Sequence, residues 1–294
     1  MSAAPVPAPV PPVWTVRALL AWTADYFQSK GIESARLEAQ ILLAHVLNCP
    51  RIELVARSDE IPEPGFRKAF REIVTRRVDG WPVAYLTGER EFYLLKFDVS
   101  PAVLIPRPDT ETLVQEALTR LKGKPSPDVL DLGTGSGCIA VSIAHQHKTS
   151  RLTAVDVSPD AAEVAKRNAA KHGVADRVTV LVGDLFAPLP PGSLFDLIVS
   201  NPPYVTPTEF DALSPDVRDH EPRGALDGGP DGLAFYRRIA SDMGPVLKPG
   251  GLVLVEIGAT QEEAVRAVFD GKGFTTFPAV RDYGRRPRVV MAMR

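Results

Sequence analysis

The sequence predicts an α/β protein in which a domain built on a mainly parallel sheet follows a small N-terminal helical bundle and a linking β-hairpin. Two observations predict this class. From about residue 109 onward, apolar runs of strand length alternate with helical stretches, which is typical of a parallel sheet covered by helices on both faces. Before residue 83, apolar residues recur at helical spacing in three separate segments.

The three N-terminal segments each carry helix signals. Thr15 stands at the expected cap of the first segment, and Ser34 at the expected N-cap of the second. In the third segment Phe66, Phe70 and Ile73 fall at helical spacing and are the expected buried face.

A β-hairpin is predicted next, because VAYLTG and EFYLLKFDVS are rich in β-branched and aromatic residues and flank a polar turn around Gly88. The alternating prolines at the start of the chain exclude a helix and predict a polyproline-like or disordered tail. The predicted divisions are a tail over residues 1–14, a helical domain over 15–82, a hairpin linker over 83–108 and an α/β domain over 109–294.

Six apolar runs in the last part predict strands of one sheet. They cover residues 129–132, 152–157, 178–183, 195–200, 252–258 and 288–293.

Composition narrows the class of function. A formal net charge of −2 argues against a protein that binds by neutralising many phosphates. Cys49 and Cys138 are far apart and lie in apolar stretches, and the five histidines show no metal-ligand spacing, so neither a disulfide framework nor a metal site is expected. No apolar run is long enough to span a bilayer and no targeting signal is visible, so we expect a cytoplasmic protein without a membrane partner.

A glycine-rich turn follows the first predicted strand, in VLDLGTGSGCIA. Gly133, Gly135 and Gly137 allow a sharp turn and close approach of the backbone to a ligand. The spacing G-x-G-x-G departs from the G-x-G-x-x-G of dinucleotide sites, so a nicotinamide cofactor is disfavoured. The alternative is a turn that only links a strand to a helix.

Acidic residues follow the next two strands. Asp156 can accept both hydroxyls of a ribose, although it could instead cap the following helix. Asp184 is positioned to recognise an adenine amino group, with Leu185 or Phe186 against the ring, although Gly-Asp is also common turn chemistry. The pattern favours a nucleoside cofactor.

The chain at this point resembles the class I S-adenosylmethionine-dependent methyltransferases, through DLGTGSG, AVDVS, GDLF and NPPY in that order. The resemblance implies a Rossmann-like sheet of seven strands with the last one antiparallel. It also implies S-adenosyl-L-methionine as cofactor and S-adenosyl-L-homocysteine as product. The cofactor-binding residues expected are Gly133, Thr134, Gly135, Ser136, Gly137, Asp156, Asp184, Leu185 and Asn201.

The NPPY segment, residues 201–204, fits methylation of a planar nitrogen. The Asn201 side-chain oxygen and the Pro202 carbonyl could each accept one N–H and so turn the remaining face of the nitrogen toward the methyl group. Pro202 and Pro203 stiffen the loop, and Tyr204 could stack on the planar group. We therefore expect Asn201, Pro202 and Tyr204 to be catalytic and all four residues to contact substrate; a rigid surface turn is the alternative.

NPPY does not decide between adenine in DNA, adenine or guanine in RNA, and glutamine in protein. With LIPRPDTE at 104–111, DHEPRGALDGGPDGLAFYRRI at 219–239 and DYGRRPRVV near the end, the chain is similar to the PrmC/HemK family of release-factor glutamine methyltransferases. That resemblance implies N5 methylation of the glutamine in the Gly-Gly-Gln motif of class I peptide-chain release factors, docked by the helical domain.

Two polar segments are expected to support that reaction. Arg107 and Glu111 of LIPRPDTE are candidates for closing over cofactor and substrate, with a salt-bridged surface turn as the alternative. DHEPRGALDGG is expected to form part of the substrate channel. No stable nucleic-acid binding is expected, and the alternative function is an adenine N6 or guanine N2 methyltransferase that acts on nucleic acid.

Overall fold

Helices alone form the first part of the computed structural model, which describes residues 13–294. The chain divides after Gly88 into two units, and the second runs from Glu89 to Arg294. Residues 1–12 of the predicted Pro-rich tail lie outside the described residues. The helices of the first unit are α1 (Val16–Ser29), α2 (Ala35–Val46), α3 (Glu53–Ala56), α4 (Pro64–Val78) and α5 (Val83–Thr87).

The helix signals are confirmed in part. Thr15 caps α1, because its hydroxyl accepts a hydrogen bond of 3.1 Å from the Ala18 amide. Ser34 precedes α2 but makes no capping hydrogen bond with its side chain. In α4 the side chains of Phe70 and Ile73 are buried, whereas Phe66 is 43% exposed and does not belong to the core.

The strand predicted at VAYLTG is wrong, because Val83–Thr87 forms the short helix α5. Pro82 precedes it with a φ of −59°, and Gly88 ends it in the left-handed region at φ 75°. Tyr85 and Leu86 are buried within the first unit. A short apolar run rich in aromatic residues has no clear period, so it suits a buried helical turn as well as a strand.

The predicted hairpin exists one segment later, as β1 (Glu89–Phe92) paired antiparallel with β2 (Leu95–Asp98). Its turn is formed by Tyr93 and Leu94, with φ values of 48° and 64°. Two-residue hairpin turns with both φ values positive favour Asn and Gly. The pair Tyr-Leu therefore gave no turn signal in the sequence.

All six predicted strands of the α/β domain are present, and two short strands bring the sheet to eight. The strands are β3 (Asp128–Leu132), β4 (Arg151–Asp156), β5 (Val178–Val182), β6 (Phe195–Ser200), β7 (Leu247–Glu256), β8 (Thr275–Thr276), β9 (Val280–Arg281) and β10 (Pro287–Met293). Their order is β5-β4-β3-β6-β7-β10-β8, and β9 pairs with β10 off this path. Strands β3 to β7 are parallel and β10 is antiparallel to β7, which confirms the α/β fold with an antiparallel last long strand.

Helices accompany this sheet on both faces, as the presence of two buried apolar clusters indicates. One cluster contains α7 residues such as Val141 and Ile143, and the other contains Tyr236 and Ile239 of α11. The helices are α6 (Glu111–Leu121), α7 (Cys138–Gln146), α8 (Pro159–Lys171), α9 (Pro207–Asp211), α10 (Pro215–Arg218), α11 (Ala234–Asp242) and α12 (Glu262–Asp270).

The order of the strands reverses beside β3. From β3 the chain adds β4 and β5 on one side, then crosses back to place β6 and β7 on the other. Such a reversal opens a crevice beyond the carboxyl ends of the strands, because the two connections leave the sheet in opposite directions. The loops after β3 and β6 therefore meet at this point, and the Ser200 hydroxyl donates to the Leu132 carbonyl at 2.8 Å.

Candidate active site

A crevice lies at the carboxyl ends of β3, β4 and β6, where the strand order reverses. Most of the residues predicted from the sequence line it. They are Gly133, Thr134, Gly135, Ser136, Asp156, Asp184, Leu185, Asn201, Pro202 and Pro203. Two predicted residues, Gly137 and Tyr204, are not part of its lining.

The glycine-rich turn has the conformation that its sequence requires. Gly133 and Gly135 have φ values of 70° and 54°, which residues with a Cβ rarely adopt. A Cβ built on either residue would meet no atom within 4 Å, so the backbone borders open space. Gly137 lies behind the turn at the start of α7, where a Cβ would lie 3.1 Å from the Cα of Ala165. The turn leaves room for a ligand at its outer side and for a helix at its inner side.

Asp156 stands at the end of β4 and braces the glycine-rich turn. One carboxylate oxygen accepts from the Gly135 amide at 2.8 Å, and the other accepts from the Ser158 amide at 2.9 Å. The alternative role of helix cap is wrong, because the Ser158 hydroxyl caps α8 by accepting from the Ala161 amide at 3.2 Å. Each carboxylate oxygen keeps a lone pair, so Asp156 can still accept hydroxyl groups from a ligand.

Asp184 and Leu185 form another part of the wall. The Asp184 carboxylate lies 2.6 Å from the Arg238 guanidinium of α11 and is about half exposed. Leu185 is 9% exposed, lines the crevice and has a positive φ of 48°. A non-glycine residue in this region is uncommon and costs conformational energy. Leu185, and not the neighbouring Phe186, lines the crevice.

Asn201 begins the loop after β6, and its side chain is oriented by a hydrogen bond. Its amide nitrogen donates to the Thr110 hydroxyl at 3.2 Å. This bond uses the amide nitrogen and not the oxygen, which can still accept, and Asn201 lines the crevice. An acceptor at this position suits a ligand that presents N–H groups.

Behind Asn201 lies a buried polar network. The Thr110 hydroxyl accepts from Asn201, and the Glu256 carboxyl stands at the end of β7. The Tyr204 hydroxyl lies 3.5 Å from Glu256 Oε1, and the Tyr236 hydroxyl donates to the Glu256 carbonyl at 2.8 Å. Thr110 and Glu256 are 2% and 1% exposed. Tyr204 therefore faces this network from behind the crevice wall.

Charges near this network come from the last strand and from the segment before α6. Arg288 of β10 pairs with Asp109 at 2.9 Å and with Asp282 at 3.1 Å. Burial raises the pKa of the Glu256 carboxyl to about 7, against the opposing effects of the nearby Thr110 hydroxyl and the Arg288 charge. Burial also raises the pKa of the Tyr204 hydroxyl, which therefore keeps its proton.

The LIPRPDTE segment contributes to the crevice through Arg107 but not through Glu111. Arg107 lines the crevice and pairs with Glu221, a residue that is 5% exposed. The Glu111 carboxylate accepts from the Tyr93 amide at 3.0 Å and so holds the β1–β2 hairpin. Of the two candidates, only Arg107 lies where it can close over a ligand.

The polar loop after α10 is docked on the NPPY segment. The Val205 amide donates to the Leu226 carbonyl, and the Gly228 amide donates to the Val205 carbonyl, both at 2.9 Å. Pro222, Gly224 and Ala225 line the crevice. A Cβ on Gly228 would lie 2.6 Å from the Cα of Tyr204, which is too close for the two backbones to keep their separation.

Gly228→Ala should therefore displace the NPPY backbone. We expect turnover of a substrate bound at this loop to fall by about tenfold to a hundredfold, because a shift of about 1 Å at a reacting centre has this effect. Steady-state kinetics of this variant will measure turnover, and cofactor titration will measure its affinity for the cofactor. Gly244→Ala is the matched control, since a Cβ there meets no atom within 4 Å. Equal activity of both variants would contradict the importance of this contact.

Asp131 lies fully buried beneath the glycine-rich turn. One oxygen accepts from the Thr134 hydroxyl at 2.6 Å and from the Ala140 amide at 3.3 Å. The other oxygen has no hydrogen-bond partner among residues 13–294. Burial raises the pKa of this carboxyl from 3.8 to about 7.

The raised pKa of Asp131 predicts a dependence of stability on pH. Its contribution to stability is fully present below about pH 4 and is lost as pH rises through about 7, because the folded state then holds a buried charge. We expect the free energy of unfolding of Asp131→Asn, measured in urea between pH 4.5 and about 8, to fall less with rising pH than that of wild type. The difference should reach up to a few kcal/mol. Glu256, whose pKa is raised in the same direction, supplies the remaining slope. Identical slopes for wild type and variant would contradict this account.

Several crevice residues were missed by sequence reasoning. Thr110 belongs to LIPRPDTE, but an uncharged threonine beside charged residues carries no signal of its own. Phe235 of α11 and the apolar segment before Pro106 gave no separate signal. The missed lining residues include Ala102, Val103, Leu104, Pro106, Thr110, Ser158, Ala161 and Phe235.

Among the described residues, no three His, Cys, Asp or Glu side chains lie together as metal ligands. Within the same range, no helix combines the length and the apolar character needed to cross a bilayer.

Comparison with known proteins places two family matches along the chain. Residues 18–88 match the family described as "PrmC N-terminal domain", and residues 109–214 match the "Methyltransferase small domain".

The chain is also similar to curated proteins over most of its length. It is 50% identical over 248 residues to the release factor glutamine methyltransferase of Rhodopirellula baltica, which covers 83% of this chain and 84% of that protein. It is 45% identical over 280 residues to the protein of the same name from Geobacter sulfurreducens, with 95% and 97% covered. Among solved structures, a methyltransferase from Pyrococcus furiosus covers 74% of this chain and 96% of its own, at a TM-score of 0.52 and 16% identity, and so shares the fold.

Proposed function

This chain belongs to the release factor glutamine methyltransferase family, and on that premise we propose how its crevice acts. The enzyme is a methyltransferase that depends on S-adenosyl-L-methionine. It methylates N5 of the glutamine side chain in the Gly-Gly-Gln motif of class I peptide-chain release factors. One observation supports this function most. The glycine-rich turn, Asp156 and the NPPY loop line one crevice where the strand order reverses.

The residues at the β3 and β4 ends fit the cofactor. The glycine-rich turn borders open space, and Asp156 is held by two backbone amides with lone pairs to spare for ribose hydroxyls. Leu185 provides an apolar surface for the adenine, and Asp184 lies beside it. When bound, the cofactor would supply a methyl group on a sulfonium, from which the neutral thioether of S-adenosyl-L-homocysteine is a good leaving group.

The residues at the β6 end fit a primary amide. The Asn201 oxygen and the Pro202 carbonyl are two acceptors on one stiff loop, and a primary amide has two N–H groups to donate. With both N–H groups bound, the nitrogen presents its remaining face to the cofactor side of the crevice. Both acceptors also stabilise the positive charge that develops on the nitrogen during transfer.

The remaining parts of the chain receive supporting roles. We propose that the helical domain, residues 15–82, docks the release factor, and that residues 83–108 connect it to the catalytic domain, residues 109–294. Gly137 and Tyr204 lie behind the crevice wall. Gly137 supports the glycine-rich turn, and Tyr204 supports the NPPY loop. A substrate in translation and the net charge of −2 favour a cytoplasmic enzyme that does not hold nucleic acid stably.

Mass spectrometry of the Gly-Gly-Gln peptide tests the function. We expect a purified class I release factor to gain one methyl group on this glutamine when it is mixed with the enzyme and S-adenosyl-L-methionine. A release factor with alanine in place of the glutamine should gain none. Duplex DNA and structured RNA, offered with the same labelled cofactor, should stay unlabelled. Label in nucleic acid alone would overturn the proposal in favour of an adenine or guanine methyltransferase.

A further inference from the structure

Asn168 is a fully buried polar residue of α8, and the reaction proposed above gives it no role. Its side-chain nitrogen donates to the Asp98 carbonyl at 2.9 Å and to the Ser136 carbonyl at 2.8 Å. Its side-chain oxygen accepts from the Asp98 amide at 2.8 Å. Backbone carbonyls only accept and backbone amides only donate, so these partners fix the positions of the oxygen and the nitrogen.

The partners of Asn168 belong to two segments that each contribute to the crevice. Ser136 is part of the glycine-rich turn. Asp98 ends β2, and the chain that follows it lines the crevice at residues 102–104. One buried side chain therefore connects the glycine-rich turn with the segment that leads to another part of the crevice wall.

We propose that Asn168 is a positioning residue that holds the glycine-rich turn in the conformation that binds S-adenosyl-L-methionine. This inference rests on the proposed function only in taking the turn as part of the cofactor site. Asn168 is not part of the crevice lining, so it acts through the Ser136 carbonyl and not by contact with the cofactor.

The turn needs support from outside because a glycine stands on each side of Ser136. Gly135 and Gly137 have φ values of 54° and 78°, and glycine occupies several backbone conformations at similar free energy. The peptide group between Ser136 and Gly137 is held at both ends. The Gly137 amide donates to the Thr134 carbonyl at 2.8 Å within the turn, and the Ser136 carbonyl accepts from Asn168. The second bond ties this peptide group to α8.

A close backbone contact places α8 against the same part of the turn. A Cβ on Gly137 would lie 3.1 Å from the Cα of Ala165, so the helix and the turn are in contact there. Ala165 and Asn168 are three positions apart, and such residues lie on one face of a helix. The packing at Ala165 therefore brings the Asn168 amide within reach of the Ser136 carbonyl.

The end of α8 also holds the β1–β2 hairpin, through side chains that do not reach the turn. Lys171 pairs with Glu89 at 3.1 Å and also with Asp98, and the His172 ring lies 2.9 Å from the Lys96 carbonyl. Within residues 13–294, neither side chain forms a hydrogen bond with the glycine-rich turn. A substitution at Lys171 therefore separates attachment of the hairpin from positioning of the turn.

Asn168→Asp and Lys171→Met form a matched pair. Aspartate has the shape of asparagine and can still accept from the Asp98 amide, but it sets an oxygen against the Ser136 carbonyl in place of a donor. We expect calorimetric titration to show a Kd of S-adenosyl-L-methionine that is about tenfold or more higher in Asn168→Asp, because the turn is less often in its binding conformation. Lys171→Met should stay within about threefold of wild type.

The rate of methyl transfer separates positioning of the turn from a general disturbance of the site. At saturating cofactor we expect kcat of Asn168→Asp to stay within about threefold of wild type, because bound cofactor selects the binding conformation of the turn. Thermal unfolding verifies that both variants are folded. Equal Kd values for the two folded variants would overturn the proposal, and so would a loss of kcat without a change in Kd.

A measurement on the wild-type protein needs no variant of Asn168. The chain has three asparagines, Asn48, Asn168 and Asn201. In protein labelled with ¹⁵N at asparagine, the signals of the other two disappear in Asn48→Gly and Asn201→Ala, which leaves those of Asn168. Asn48→Gly is a mild substitution, because Asn48 has a positive φ of 47°.

We expect saturating S-adenosyl-L-methionine to slow the exchange of the Asn168 side-chain NH₂ protons with solvent by about tenfold or more. The reason is that opening of the bond to Ser136 then requires release of the cofactor. The backbone amide of Asn168, visible in the same sample, opens together with α8 and should slow by a smaller factor. Unchanged side-chain exchange, or equal slowing of side chain and backbone, would overturn the proposal.

These measurements also separate the role of Asn168 from the proposed function. Cofactor-dependent exchange together with an unmethylated release factor would support the role of Asn168 and count against the proposed substrate alone. A methylated release factor together with unchanged exchange would overturn the role of Asn168 and leave the proposed function intact.

Discussion

Asn201→Ala is expected to slow methyl transfer to the release factor by about 10²-fold or more, while the affinity for S-adenosyl-L-methionine stays nearly unchanged. The substitution removes the acceptor that we propose for the reacting nitrogen, where positive charge develops during transfer. The glycine-rich turn and Asp156, which fit the cofactor, belong to the other side of the crevice and keep their contacts.

Single-turnover kinetics and calorimetric cofactor titration of this variant provide the two measurements. Single-turnover rates report on the chemical step without the influence of product release. An equal loss of rate and of cofactor affinity would contradict the assigned role of Asn201. It would indicate instead that the whole crevice had been disturbed.

Asp156→Ala is expected to show the reverse pattern to Asn201→Ala. The affinity for S-adenosyl-L-methionine should fall strongly, and the rate of methyl transfer at saturating cofactor should change much less. Loss of the two charge-assisted hydrogen bonds that we propose between Asp156 and the ribose should raise the Kd of S-adenosyl-L-methionine by about 10²-fold. The Gly135 and Ser158 amides also lose their acceptor, so the glycine-rich turn becomes less well positioned. At saturating cofactor, the rate of methyl transfer should recover much of its wild-type value, because Asn201 remains in place.

Asp160→Ala is the matched control for this experiment. Asp160 is an exposed carboxylate in the first turn of α8 and does not line the crevice. Asp160→Ala removes one negative charge, as Asp156→Ala does, without touching the turn. A similar rise in Kd for both variants would show that charge alone, and not the position of Asp156, governs cofactor affinity.

The cofactor loops could be predicted from sequence because their function depends on local features. A glycine-rich turn after an apolar strand and an acid at the end of the next strand are readable within a few residues of each other. The parallel order of the strands then brings NPPY to the same edge of the sheet. These residues line the crevice that the structure describes.

The support behind NPPY could not be predicted in this way. Thr110 is separated from Asn201 by 91 positions, and Tyr204 is separated from Glu256 by 52. Neither Thr110 nor Glu256 stands in a pattern of period or spacing that relates it to Asn201. Their proximity is a product of tertiary packing, and so is the helical conformation of Val83–Thr87, where local composition favoured a strand.

The reversal of strand order also has a consequence for folding during synthesis on the ribosome. The neighbour of β3 on one side is β6, and the hydrogen bond that links their ends joins residues 68 positions apart. While β4 and β5 are synthesised, that side of β3 is an unpaired edge with the apolar sequence VLDL. Unpaired apolar edges are templates for wrong pairing, and long-range pairing is slow. The nascent chain therefore passes through an aggregation-sensitive interval that ends only when β6 inserts.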